Sequence, residues 1–414
     1  MSADLILSNV RLAAAPDRPT ELYIADGRIA ARPAADAETV DGEGGLLLPG
    51  FVDSHIHLDK AGILCRCQLR EGTLAEAISA TAAAKRGFDE ADVYRRGAAV
   101  LERAISHGTT HMRVHVELDP GIGLRGYQAV KRLKRDYAWG IALQLCVFPQ
   151  EGLLNNPGTE ELLRAALEDG ADLLGGCPYT DSDPEGQVER LFAMAREYDV
   201  DLDFHLDFDL DPADMTLPAV IRATRANGWG GRVAVGHVTK LSMLGRERLE
   251  AVAAELAGAG VALTALPATD LYLMGREFDG AVPRGVAPVQ RLHAAGVRCS
   301  LATNNIGNPF TPFGDAQLLR MANLYANVGQ LASDADMEAC LSWIGSSAAA
   351  LMRLDGYGSE VGDRADLVVV DAESAADAVR SIAPVRLALK NGRLSMRRPA
   401  AQLRYPPGFS RGEH

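Results

Sequence analysis

Eight short apolar segments alternate with amphipathic helical stretches along this chain, and that alternation limits its fold more than any other feature. The strand-like segments are Leu46 to His57, Thr109 to Glu117, Ile141 to Phe148, Asp172 to Pro178, Leu202 to His205, Val233 to His237, Val261 to Ala265 and Val297 to Thr303. Between them lie helical stretches at Leu74 to Lys85, Asp89 to His107, Thr159 to Asp169, Gly186 to Tyr198, Leu217 to Asn227, Arg246 to Gly258 and Val286 to Ala295. Parallel strands need a crossover connection, usually a helix, so strict alternation predicts a parallel sheet. Eight such units predict an α/β fold closed into a (β/α)8 TIM barrel, whose chemistry sits at the carboxyl ends of its strands.

The rest of the chain has a different character. Asp4 to Leu12, Glu21 to Ile24 and Arg28 to Ala31 read as short strands, the last two joined by the hairpin signal Asp26-Gly27. Ala365 to Asp371 and Val385 to Leu394 repeat the pattern, with a second hairpin signal at Asn391-Gly392. Both ends therefore predict one small β-sandwich, a discontinuous domain of residues 1–49 plus 358–414, around a barrel of residues 50–357. A chain of 414 residues exceeds the roughly 250 to 300 that one core supports, which agrees with two domains.

Composition excludes several partners. A formal charge of −13 disfavours nucleic acid and anionic membranes. No apolar run reaches the roughly 18 residues of a membrane span, and Met1-Ser2-Ala3-Asp4 lacks the basic start of a signal peptide. Six scattered cysteines form no disulfide framework, and Cys65-Arg66-Cys67 has the wrong spacing for a zinc pair, so a reducing, cytoplasmic setting is expected. The partner is then a small molecule; the number of subunits, including a homo-oligomer, is left open.

Polar residues gather where the barrel strands end. His55 and His57, two apart in the first segment, point to one face of a strand and make a metal half-site. His115 closes the second segment, Gln150 follows the third, His205 ends the fifth, His237 the sixth, and Asn304-Asn305 follow the eighth. One histidine at a strand end is ordinary; several on one rim point to a centre of chemistry.

The words Leu48-Pro49-Gly50-Phe51-Val52-Asp53-Ser54-His55-Ile56-His57-Leu58-Asp59 resemble the first barrel strand of the amidohydrolase superfamily. Within it, His55-Ile56-His57-Leu58-Asp59 is similar to cytosine deaminases and their triazine-processing relatives, the N-isopropylammelide amidohydrolases, and the likeness runs to about Leu394. The resemblance implies that His55, His57 and His205 hold one divalent metal ion (zinc, iron or manganese) and that His237 contacts substrate or the attacking water. Gly175-Gly176-Cys177-Pro178-Tyr179 offers no lysine for carbamylation, so a bridged two-metal site is not expected. Phe148-Pro149-Gln150-Glu151-Gly152 resembles the segment whose glutamine reads a pyrimidine edge, which makes Gln150 a substrate ligand. Phe310 matches an aromatic residue over the substrate, and Phe208 would add an apolar wall. Lys60 reads first as an exposed lysine and second as a ligand for a carbonyl or anionic group. Arg276 and Arg284 also lie in similar words.

Two departures matter more. The relatives carry a glutamate three residues after the fifth-strand histidine, where this chain has Phe208, and an eighth-strand aspartate, where it has Asn304, followed by Asn305 in place of a second. A neutral amide can ligate a hard cation but is no general base near neutral pH. Three readings follow. The protein is a hydrolase of a C–N bond in a nitrogen heterocycle, such as a cyclic amide or amidine, with Asp207, Asp209 or Glu117 supplying the displaced carboxylate. Alternatively, the barrel runs another, metal-independent reaction on a related ring, or it binds a ligand without catalysis. On the first reading Asp207 faces the barrel mouth as the base, while on a structural reading it caps the following helix. Asn304 then completes the metal site, and Asn305 contacts substrate.

Overall fold

The chain was analysed as a computed structural model, which describes residues 4–13 and 15–406. Eight parallel strands form the barrel: β1 (Phe51–Ile56), β2 (Thr109–Glu117), β3 (Ala142–Phe148), β4 (Leu173–Gly176), β5 (Asp201–Leu206), β6 (Val233–His237), β7 (Val261–Ala265) and β8 (Cys299–Leu301). Each pairs with its sequence neighbour. The ring closes just beyond β8, where Asn304 bridges to Ile56, donates its N–H to His55 O at 2.9 Å and accepts the His57 N–H at 2.9 Å.

The apolar run from Leu46 to His57, expected as one strand, is two strands in two sheets. Leu46–Pro49 pairs with Leu367–Val370, and the chain turns at Gly50 before β1 enters the barrel. A Cβ on Gly50 would stand 2.2 Å from the Thr110 side chain, so glycine permits that close passage. The second sheet takes strands from both ends of the chain: Leu5–Leu12, Ala15–Ala25, Arg28–Ala30, Glu38–Asp41, Leu46–Pro49, Leu367–Val370, Val385–Lys390 and Arg393–Arg397. It is one continuous sheet, so the small domain is not two separately bonded layers. Both hairpin signals are two-residue turns with positive φ: Asp26 and Gly27 at 50° and 75°, Asn391 and Gly392 at 49° and 73°.

Three of these strands are apolar on both faces because each face has its own core. Leu46, Leu48, Val368, Val370, Val385 and Ala388 join the barrel core, whereas Leu47, Leu367, Val369, Leu387 and Leu389 pack with Leu5, Leu7, Ile24 and Ile29 in the small domain. Alternation of side chains across a strand thus fastens one domain to the other.

Helices Leu74–Lys85 and Leu217–Asn227 have the expected bounds, and most others differ by a residue or two. The helix before β8 is shorter than expected, Val289–Ala294, because Pro288 stands at its N-cap. Helix Arg125–Asp136 escaped the sequence reading, although it buries Tyr127, Val130 and Leu133 on one face. Among the described residues no helix is long and apolar enough to cross a membrane.

Candidate active site

His55 lies within β1 and His57 one residue past it, so the period of two sends both imidazoles to one point. His205, near the end of β5, meets them: its Nε2 is 3.0 Å from His55 Nε2 and 3.1 Å from His57 Nε2. All three rings are buried. Burial, together with the neighbouring cations and imidazoles, pushes each pKa well below the ordinary histidine range, so the rings are neutral and carry lone pairs. The His57 tautomer is set by its surroundings: His115 O can only accept, so His57 Nδ1–H donates to it at 3.1 Å and Nε2 is left with a lone pair. Phe148 stacks on His205 at 4.4 Å, and Gly236 lies so close under His55 that a Cβ there would be 3.2 Å from the ring.

Three neutral nitrogens this close fit one borderline divalent ion, since adjacent ligands each about 2.0–2.1 Å from a zinc ion have this separation. Asn304, whose backbone bonds to that of His55 and His57, is fully buried at φ 60°, and neither its Oδ1 nor its Nδ2 has a hydrogen-bond partner. The residues therefore suit a single metal.

His115, also at the rim, stacks on His55 with centroids 3.7 Å apart. Its Nε2 is 3.5 Å from Asp203 Oδ2, to which Arg113 Nη1 donates at 2.7 Å. Burial opposes ionisation of Asp203, but His115 and Arg113 outweigh it and hold the carboxyl below its usual range. Asp203, two residues before His205 on the same strand face, was missed in the sequence, where that period of two would have revealed it.

His237 ends β6 at φ 68°, and its Nδ1 is 2.7 Å from Asp270 Oδ1. Asp270 sits in helix Pro267–Leu273 just beyond β7 and is fully buried. It too was missed; the only signal was a carboxylate shortly after a barrel strand. Phe208 lies over the His237 ring at 3.8 Å. Phe208 and Phe310 share one apolar cluster with Ala77, Leu210, Leu273 and Met274, so the two expected aromatic walls come together.

Lys60 is 2 % exposed, which corrects the view of it as a solvent lysine. Its Nζ donates to Glu117 Oε1 at 2.5 Å and to Gln150 Oε1 at 3.3 Å, and lies 4.4 Å from the Phe310 ring centroid. Gln150 also donates to Cys177 Sγ at 3.4 Å. Lys85 continues the network to Glu117, Asp119 and Glu151. Against the cost of burial, Lys60 and Lys85 hold Glu117 ionised.

The candidate bases are placed elsewhere. Asp207 does not offer a free carboxylate to the barrel mouth: Oδ1 accepts from Thr216 N at 2.8 Å and Oδ2 from Leu217 N at 3.0 Å, at the start of helix Leu217–Asn227. Asp209 pairs with Lys240 at 3.1 Å, and Glu117 is committed to two lysines. Asn305 Oδ1 is taken by Asn308 Nδ2 at 2.7 Å. Arg276 and Arg284 bond backbone carbonyls of Glu71, Tyr272 and Val328.

A (β/α)8 barrel with histidines of β1, β5 and β6 on its rim and a small sheet from both termini defines the class of amidohydrolases. The chain belongs to that family, matching it over residues 38–141 and 140–396. It is 28% identical to N-isopropylammelide isopropyl amidohydrolase of Pseudomonas sp. (strain ADP) over 368 residues, 86% of this chain and 87% of the relative. It is also 28% identical to pterin deaminase of Rhizobium rhizogenes, over 90% of this chain and 87% of that protein. Among solved structures, 5-methylcytosine deaminase from Klebsiella pneumoniae, liganded with 5-fluorocytosine, superposes with a TM-score of 0.92 at 28% identity, covering 97% of this chain and all of that one. N-isopropylammelide isopropylaminohydrolase from Burkholderia multivorans gives a TM-score of 0.84 at 30% identity over 96% of this chain and 99% of its own.

Proposed function

We propose that the protein is a metal-dependent hydrolase of a C–N bond in a small nitrogen heterocycle bearing a ring carbonyl or amidine. The observation that carries this reading is the convergence of His55, His57 and His205 on one point, His205 Nε2 lying 3.0 Å from His55 Nε2 and 3.1 Å from His57 Nε2. The relatives named above, which by their names act on N-isopropylammelide, pterin and 5-methylcytosine, support it.

The three histidines, with Asn304 as a further candidate, would hold a divalent ion of zinc, iron or manganese, which would supply the Lewis acidity that makes water a nucleophile near neutral pH. Lys60 and Gln150, fixed to each other, offer donors to a ring carbonyl, and Glu117 keeps the ammonium in place. Phe208 and Phe310, which share one apolar cluster, offer apolar surface to a planar ring. His237 handles a proton at Nε2.

A second reading, another reaction on a related ring, is favoured by Asn304 and Phe208 alone, since both lack the charge of their counterparts. Purified protein incubated with pyrimidines, triazines and pterins, with ammonia or amine release assayed and metal content measured, separates the two. Turnover tied to about one metal per chain supports the hydrolase. Metal-free protein that zinc, iron or manganese does not activate, with no release from any ring, sinks it.

A further inference from the structure

The resemblance implies two proton-moving carboxylates where this chain has Asn304 and Phe208, and nearby carboxylates are engaged: Asp207 by two backbone N–H groups, Glu117 by two lysines, Asp203 by Arg113. Asp270 is the carboxylate that faces His237. One of its oxygens, Oδ2, accepts the Leu266 N–H at 3.2 Å; the other, Oδ1, is 2.7 Å from His237 Nδ1. The His237 ring centroid is 5.8 Å from that of His205 and 6.0 Å from that of His55, so the ring borders the three-histidine centre. Its backbone is held in the left-handed region at φ 68°, and Val238 follows at 47°, an uncommon state for a β-branched residue. Two such residues in succession are maintained where they aim a side chain.

A carboxylate oxygen can only accept, so the neutral His237 ring that faces Asp270 carries its proton on Nδ1 and a lone pair on Nε2.

We infer that Asp270 is a positioning residue that locks His237 in the Nδ1–H tautomer, so that Nε2 takes the proton of the attacking water in place of the missing carboxylates. The inference rests on the hydrolase reading for its second half only. In the step, one O–H bond of water breaks and the proton passes to Nε2, while the oxygen electron pair forms a C–O bond to the ring carbon and the π pair of that carbon's C=N or C=O bond moves onto its nitrogen or oxygen. That pair then returns to re-form the double bond as the scissile C–N bond breaks with its own electron pair going to nitrogen, and that nitrogen receives the proton from Nε2. Asp270 keeps its charge throughout, facing the imidazolium while it exists.

The Leu266 N–H makes a sharp test available. In Asp270→Asn the amide oxygen is claimed by that backbone donor, which leaves the NH2 group facing His237 Nδ1. The NH2 can only donate, so the ring proton is driven to Nε2. Nitrogen-15 spectra of histidine-labelled, metal-loaded protein, with His237 assigned by its loss in His237→Asn, should show a protonated Nδ1 in the parent and a protonated Nε2 in Asp270→Asn. Metal content should be equal in both. On any ring the parent hydrolyses, kcat should fall about 100-fold or more with KM little changed. A parent spectrum with the proton on Nε2 overturns the proposal, and that measurement needs no variant to fold. A flipped tautomer with kcat within threefold of the parent overturns the proton-accepting role. If no ring is turned over, the hydrolase reading fails while the spectra still decide what Asp270 does.

Discussion

Phe208 lies against the imidazole of His237, ring centroids 3.8 Å apart and planes inclined by 32°. Phe208 thus gives that ring an apolar wall that carries no proton, and Asn304, likewise uncharged, is no general base near neutral pH.

Restoring the charges should work only in combination. Asn304→Asp adds a negative ligand beside three neutral imidazoles and should tighten divalent metal, measured by competition with a chelator. By itself it should leave cytosine untouched. Together with Phe208→Glu, deamination of cytosine should appear as ammonia release. Brisk turnover of cytosine by Asn304→Asp alone would show that the carboxylate after β5 is dispensable.

Asp207 should behave as a cap. Because its two oxygens accept from Thr216 N and Leu217 N, Asp207→Ala should lower stability by about 1–2 kcal/mol in urea denaturation. Asp207→Asn, which keeps one acceptor, should lose less and keep turnover within a few-fold of the parent. A loss of about 100-fold in kcat for Asp207→Asn, with folding intact, would return it to the role of base.

Much of this was legible because periodicity and rim position are carried by local sequence. Eight apolar segments gave the barrel, and His55, His57, His205 and His237 could be read as one constellation from strand ends alone. What stayed hidden depends on contacts between distant segments. The run from Leu46 to His57 looks like one strand because both of its sheets bury it on both faces; only the partner strand at Leu367–Val370 splits it. Lys60 reads as solvent-facing until Glu117, 57 positions away, is seen at 2.5 Å. Asp270 is 33 positions from His237, and no spacing rule links a helix residue after β7 to the end of β6. Asp207 was ambiguous for the opposite reason, since a residue after a strand can face the mouth or cap the next helix with the same sequence.

The buried network should be fragile to loss of its central anion. Glu117→Gln leaves Lys60 without its 2.5 Å partner and weakens the hold on Lys85, in surroundings nearly without solvent. Removing one partner of a buried pair costs about 3–5 kcal/mol, so the urea midpoint should fall markedly. Adding Lys60→Met should recover part of that loss, because one orphaned charge goes with it. Equal stability of Glu117→Gln and parent would mean that water or a rearranged carboxylate already serves both lysines.

His111 gives a pH dependence remote from the metal centre. It lies at the start of β2, 3.2 Å from Lys390 Nζ and 3.4 Å from Asp366 Oδ2, where burial and then the Lys390 charge bring its pKa down to about 3. In the unfolded chain the same ring takes a proton near pH 6.5. Above that pH neither state holds the proton, so His111 adds no slope. As pH falls below it, the unfolded state binds a proton that the folded state refuses, and stability drops by about 1.4 kcal/mol per pH unit until pH approaches 3. Urea denaturation at pH 7.5 and pH 5.5 should therefore show the parent losing about 1.4 kcal/mol more than His111→Gln over that interval, whatever the offset between the two proteins. Equal losses would place the His111 pKa near its unfolded value, and the contact with Lys390 would then have to be open to solvent.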